Sequence, residues 1–256
     1  TDLGDLGGIY AGAYDVNDAG QITGFAFTPP GPTPAVQFAQ AFLYENGAMT
    51  GLGTVSSPTG YSRGHGINEA GEVAGRASLV DFANSDKHMA SWDAAGNISS
   101  NPSGVGSYST AQQINNNGLI VGNGFAPGSS DRGLVWDAGV VTVMGTLGGN
   151  SSRALSVNDA GVIVGLSTDS AGAFAAMVSY DGQNLMMLSD LVADMQGWTS
   201  LGNAFDVNEL GQIVGSGINA DGQVEAFLLT PVPVPAAAWL FASAVGLLGW
   251  ARRRRP

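Results

Sequence analysis

A chain of 256 residues with 39 glycines, 44 % apolar and only 12 % charged side chains can bury a core and lacks the charge-rich profile of a disordered polymer. Its formal charge of −12 is uneven: Arg252 to Arg255 end the chain, while all 21 acids lie before Pro231 against Arg63, Arg76, Lys87, Arg132 and Arg153, a balance of −16. Such a surface repels phosphate backbones, so nucleic acid is excluded as a partner, and the absence of cysteine excludes disulfides and thiolate chemistry.

The first residues read TDLGDLGG, a strand-like run that opens on Thr1 rather than Met, in keeping with removal of a signal peptide. A template then recurs five times: DVNDAGQITG, GINEAGEVAG, QINNNGLIVG, SVNDAGVIVG and DVNELGQIVG. Its asparagines are Asn17, Asn68, Asn115, Asn158 and Asn208, each preceded by Val or Ile. A small residue stands four before each asparagine, and glycine falls three after (Gly20, Gly71, Gly118, Gly161, Gly211) and again seven after.

Asn-x-x-Gly between β-branched runs predicts a hairpin, in which the asparagine side chain bonds the backbone two residues on and glycine takes the left-handed position that closes a type I turn with a bulge. The second glycine, inside a strand, predicts close approach by a neighbouring backbone. Each repeat then supplies an apolar run (AFLY, MASW, GLVW, MVSY, AFLL), and all but the last continue into a fourth. The spacing therefore predicts four antiparallel strands per repeat. Because the last repeat stops at AFLLTP, the opening TDLGDLGG is expected to supply its fourth strand.

The resulting expectation is an all-β five-bladed β-propeller over residues 1–230, with repeats at about 5–53, 54–105, 106–147, 148–191 and 192–230, and residues 1–4 closing the ring. An open solenoid is the competing architecture, but it would need capping ends. The runs TDLGDLGG, MGTLGGNSSRALSVNDAGVIVGLS and QAFLYENGAMTGLG resemble the extracellular HAF-type repeat, a resemblance that covers about residues 1–230. It implies a secreted bacterial protein and brings no settled activity.

Residues 231–256 differ in kind. After PVPVP comes AAAWLFASAVGLLGWA, an uncharged apolar stretch followed at once by four arginines. It is expected to be a hydrophobic helix that spans a membrane with its C-terminus cytoplasmic. Pro233, Pro235 and Arg252, Arg253, Arg254 and Arg255 resemble a PEP-CTERM sorting signal of the VPLPA-CTERM variant. That resemblance implies an exosortase-type protease as partner and export to the envelope surface or beyond, in Gram-negative bacteria that often make exopolysaccharide.

Chemistry is sparse. DVNDAG and DVNELG partly meet a calcium-loop template, but the other three copies lack its first aspartate, and a hairpin explains all five. His65, at a position otherwise held by Tyr14, Gln112, Leu155 and Phe205, reads as a packed strand residue. No catalytic residue, metal or cofactor is assigned. In propeller order the long connections of every repeat share one face, which carries Tyr10, Tyr61 and Tyr108 seven before their asparagines, Arg63 and Arg153 five before, and Trp198. Aromatic rings beside a few polar groups predict a non-catalytic surface or matrix protein that binds exopolysaccharide or other envelope components. The alternatives are an adhesive protein-binding module and a polysaccharide-active enzyme.

Overall fold

The computed structural model describes residues 1–29, 38–55, 60–79, 87–100, 108–125 and 130–232. The proline motif from Pro233, the apolar stretch and the arginine cluster lie outside them, as does most of the Pro-rich Phe27–Val36 segment. No helix among the described residues is long and apolar enough to cross a membrane.

The chain forms five antiparallel sheets, each from one repeat. The first holds β1 (Ala11–Val16), β2 (Ile22–Phe27), β3 (Ala39–Glu45) and β4 (Ala48–Gly53). In the second are β5 (Ser62–Ile67), β6 (Val73–Ser78), β7 (Lys87–Trp92) and β8 (Ile98–Ser100). The third comprises β9 (Ser109–Ile114), β10 (Ile120–Phe125), β11 (Asp131–Asp137) and β12 (Val140–Val143). The fourth comprises β13 (Gly148–Val157), β14 (Ile163–Asp169), β15 (Phe174–Ser179) and β16 (Met186–Met187). The fifth has three strands, β17 (Trp198–Val207), β18 (Ile213–Asn219) and β19 (Val224–Leu229).

The recurring template builds the first hairpin of every sheet. Gly20, Gly71, Gly118, Gly161 and Gly211 all have φ between +74° and +80°, the conformation that a side chain would strain. Each asparagine Oδ1 accepts the N–H four residues on, as Asn115 does from Leu119 at 2.9 Å. The second glycine sits opposite the small residue of the preceding strand: Ala13 faces Gly24, Gly64 faces Gly75, and Ala111 faces Gly122. A Cβ on Gly24, Gly75, Gly122, Gly165 or Gly215 would collide with a carbonyl oxygen of that strand. The expected close approach is thus real, and its cause is a β-bulge. In every repeat the register slips between the small residue and the position two later, which leaves Tyr14, His65, Gln112, Leu155 and Phe205 out of the pairing.

Consecutive sheets pack face to face through four apolar cores. Leu43 meets Ile67 and Trp92, Met89 meets Ile114 and Leu134, Val135 meets Val157 and Met177, and Val178 meets Val207 and Phe227. A polar ladder runs beside them. The Nδ2 of Asn17, Asn68, Asn115 and Asn158 each donates to the backbone carbonyl of the next repeat's asparagine, at 2.9, 3.2, 2.9 and 3.0 Å. The arrangement is that of propeller blades in sequence order.

The ring is not closed in the way the sequence predicts. The opening residues form no strand, and the fifth sheet keeps three. Asp2 and Asp5 accept the N–H of Gly4 and Gly7, whose φ values are +79° and +90°, so two successive turns curl the segment. It lies instead on the first sheet, with Leu6 beside Gly51 and Gly8 beside Phe27. Two sheet faces consequently stay open. Val16 is 60 % exposed, whereas its equivalents Ile67, Ile114, Val157 and Val207 are 4–5 % exposed. On the fifth sheet Leu228 is 60 % exposed against 8 % for its counterparts Leu43 and Val135.

Candidate functional site

A cavity of about 390 Å³ opens between the second, third and fourth sheets. The second sheet contributes His65 and Arg76, and the fourth contributes Arg153. Tyr108, Thr110, Gln112, Asn123, Phe125 and Asp131 come from the third. The bulge explains two of these. Because His65 and Gln112 leave the ladder, their side chains are re-aimed out of the ordinary alternation.

Arg76 is the hub. Its Nη1 donates to Tyr108 Oη at 2.6 Å and its Nη2 to Tyr61 Oη at 3.2 Å. Its Nε is buried without a partner among the described residues. Tyr108 and Phe125 stand with ring centroids 6.2 Å apart and form the aromatic side of the cavity. The polar side is a chain of contacts: Gln112 Nε2 donates to Asn123 Oδ1 at 3.3 Å, Asn123 Nδ2 donates to Asp131 Oδ1 at 2.8 Å, and Arg153 Nε donates to Asp131 Oδ2 at 2.5 Å.

His65 Nδ1 lies 2.8 Å from the Ala111 carbonyl, which can only accept, so Nδ1 carries the proton and Nε2 is left as the acceptor. Burial, helped by the cations of Arg76 and Arg63, pushes its pKa down to about 4 although the Ala111 bond opposes it. The imidazole is neutral at physiological pH and acts as a polar wall.

Of the residues singled out in the sequence, Tyr108 and Arg153 line the cavity and Tyr61 braces Arg76 from beside it. Arg63 lies against the first sheet, its guanidinium 4.0 Å from the Phe25 ring centroid and its Nη1 donating to Tyr14 Oη at 3.1 Å. Tyr10 packs on Phe25 and Phe27 of the first sheet, and Trp198 packs on Phe227 in the fifth-sheet core. Tyr10 thus shares the Phe25 ring with Arg63, whereas Trp198 is not brought to the others. No repeat template marks Arg76, Asn123, Phe125 or Asp131 as site residues, because those positions of β6, β10 and β11 vary from repeat to repeat. One signal was available: the position of His65 and Gln112 is the variable one inside a constant template. Among the described residues no group of three or more metal-ligating His, Cys, Asp or Glu side chains occurs.

No family model matches the chain. No curated protein matches it either. Among solved structures it is similar to TolB from Acinetobacter baumannii, at 13 % identity and a TM-score of 0.49 over 84 % of this chain and 53 % of that one. The chain thus spans about half the length of TolB. The SapL1 lectin in complex with alpha methyl fucoside gives 13 % identity, a TM-score of 0.42 and coverage of 88 % and 83 %. A gluconolactonase from Xanthomonas campestris gives 13 %, 0.41, and 75 % and 69 %.

Proposed function

We propose that this chain is a non-catalytic, exported binding module that holds a polysaccharide in the cavity between its second, third and fourth sheets. The observation that carries the reading is the lining itself: the Tyr108–Phe125 pair faces a graded set of amide, guanidinium and imidazole groups. Sugar rings have apolar faces and a hydroxyl rim, which such a wall matches. A glycosidase of the usual two-carboxylate kind needs a pair flanking the bond. The described lining offers one carboxylate, Asp131, already engaged by Arg153 and Asn123, which favours binding over hydrolysis.

The HAF-like repeats and the PEP-CTERM-like end extend the proposal to place. The module would reach the envelope surface through its C-terminal segment and an exosortase-type protease, with exopolysaccharide as partner. To test both, full-length protein and a Tyr108→Ala/Phe125→Ala double variant are sedimented with exopolysaccharide from the native host. The wild type is expected to co-sediment saturably and the variant to stay in solution. Equal behaviour of the two, or no co-sedimentation, sinks the reading. Mass spectrometry of host envelope protein should find Arg252 to Arg255 removed, and intact ends would reject processing.

A further inference from the structure

The cations of the described residues are sorted to one face of this molecule. Strand register places the five cations of the described residues at the sheet ends away from the Asn-x-x-Gly turns: Arg63 opposite Arg76, Ser78 opposite Lys87, Gly124 opposite Arg132, and Arg153 on the same rim. The turn end is acidic instead. There the carboxylates of Glu69, Asp159 and Glu209 accept the backbone N–H of Asp18, Asn116 and Asp159 from the preceding repeat, beside the asparagine ladder. A chain with a body charge of −16 therefore gathers the cations of its described residues on one rim, beside Asp131 and Asp169, and Arg76 and Arg153 of that rim line the cavity.

Those cations are not equally satisfied. Arg153 has Asp131, and Arg132 donates from Nη2 to the Met144 carbonyl, although its Nε is buried without a partner among the described residues. Among the described residues Arg76 is bonded only by two phenol oxygens, Arg63 by one, and the Nε of each is buried without a partner. Lys87 Nζ stands 4.5 Å over the Tyr61 ring, and burial together with Arg76 and Arg63 lowers its pKa. Bringing three positive groups together around neutral phenols costs free energy that an anion would recover.

We propose that the ligand carries a carboxylate, a uronate residue of an acidic polysaccharide, seated on Arg76 at the cavity wall. The inference rests on the polysaccharide reading above and specifies its chemistry. Arg76 is a planar fork braced from both sides by Tyr61 and Tyr108, the form of cation best suited to a carboxylate. The adjoining Tyr108–Phe125 rings take the sugar face, and Gln112 and Asn123 meet its hydroxyls. Lys87 and Arg63, both against the Tyr61 ring, extend the positive field beyond Arg76 toward the next acidic unit.

The test is calorimetric titration of the full chain with trigalacturonate and with the same trimer fully methyl-esterified, which keeps rings and length and removes the charge. Wild type is expected to bind the acid at least about tenfold more tightly than the ester, a preference that shrinks with salt. Arg76→Gln, with its fold checked by thermal melting, should lose that preference. Lys87→Gln, at a partly exposed site, should weaken acid binding severalfold and flatten its salt dependence. Equal affinity for acid and ester overturns the carboxylate assignment and leaves the polysaccharide reading standing. Co-sedimentation with host exopolysaccharide but no binding of either trimer also overturns the assignment alone. Failure of both probes takes the polysaccharide reading with it.

Discussion

At the scale of single residues, the template asparagine does more than turn the chain. Asn115 Oδ1 accepts the N–H groups of Asn117 and Leu119, and its Nδ2 donates to the Asn158 carbonyl on the next sheet. The side chain is 5 % exposed, so truncation strands several polar groups away from water. Asn115→Ala is expected to cost about 3 kcal/mol. Asn208 has the same local bonds, but its Nδ2 reaches only Gln212 in its own turn, and it is exposed. Asn208→Ala should therefore cost about 1 kcal/mol. Urea unfolding of the two variants checks this, and equal losses would mean that the inter-sheet bond adds nothing.

Among strands and turns, the local grammar was readable and the lateral grammar was not. Asn-x-x-Gly and the second glycine report conformations decided within ten residues, so their spacing revealed both hairpin and close approach. The Nδ2 ladder depends on a sheet about fifty positions away, and nothing in one repeat signals it. TDLGDLGG held two Asp-x-Gly turn signals, yet strand counting outweighed them, and the turns prevail. The bulge joins element to site. It takes His65 out of the β5–β6 pairing into a half-buried, cation-flanked position beside Arg76 and Arg63, with Thr110 and the Ala111 carbonyl in contact. A histidine whose folded pKa, about 4, lies below its unfolded value of 6.5 binds fewer protons folded than unfolded between those limits. Its contribution is whole above pH 6.5 and fades as pH falls toward 4, by about 3 kcal/mol at most. Denaturation of wild type and His65→Gln at pH 7.5 and pH 4.5 should show the difference between them narrowing or reversing at the acidic end. A pH-independent difference would mean that His65 is not held neutral by the fold.

For the whole molecule, the question is what a repeat gains from its neighbours. Each sheet presents one face forward and one back, and four forward faces are covered by the next repeat. The fifth is not, and two equivalent leucines expose the difference. Leu43, on β3, pairs with Thr23 and packs against the second sheet at 8 % exposure. Leu228, at the same register on β19, pairs with Val214 and is 60 % exposed, with Val214 itself 44 % exposed. The transfer of a buried leucine plus the cavity it leaves sets the cost of Leu43→Ala at about 3 kcal/mol. Leu228→Ala removes mostly solvated surface and is expected to cost under about 1 kcal/mol. The comparison is internal, since both changes delete the same atoms from the same kind of strand. Differential scanning calorimetry of the two variants reads the answer directly. A Leu228→Ala loss as large as that of Leu43→Ala would mean that the first and fifth sheets close on each other in solution, making a fifth interface like the other four.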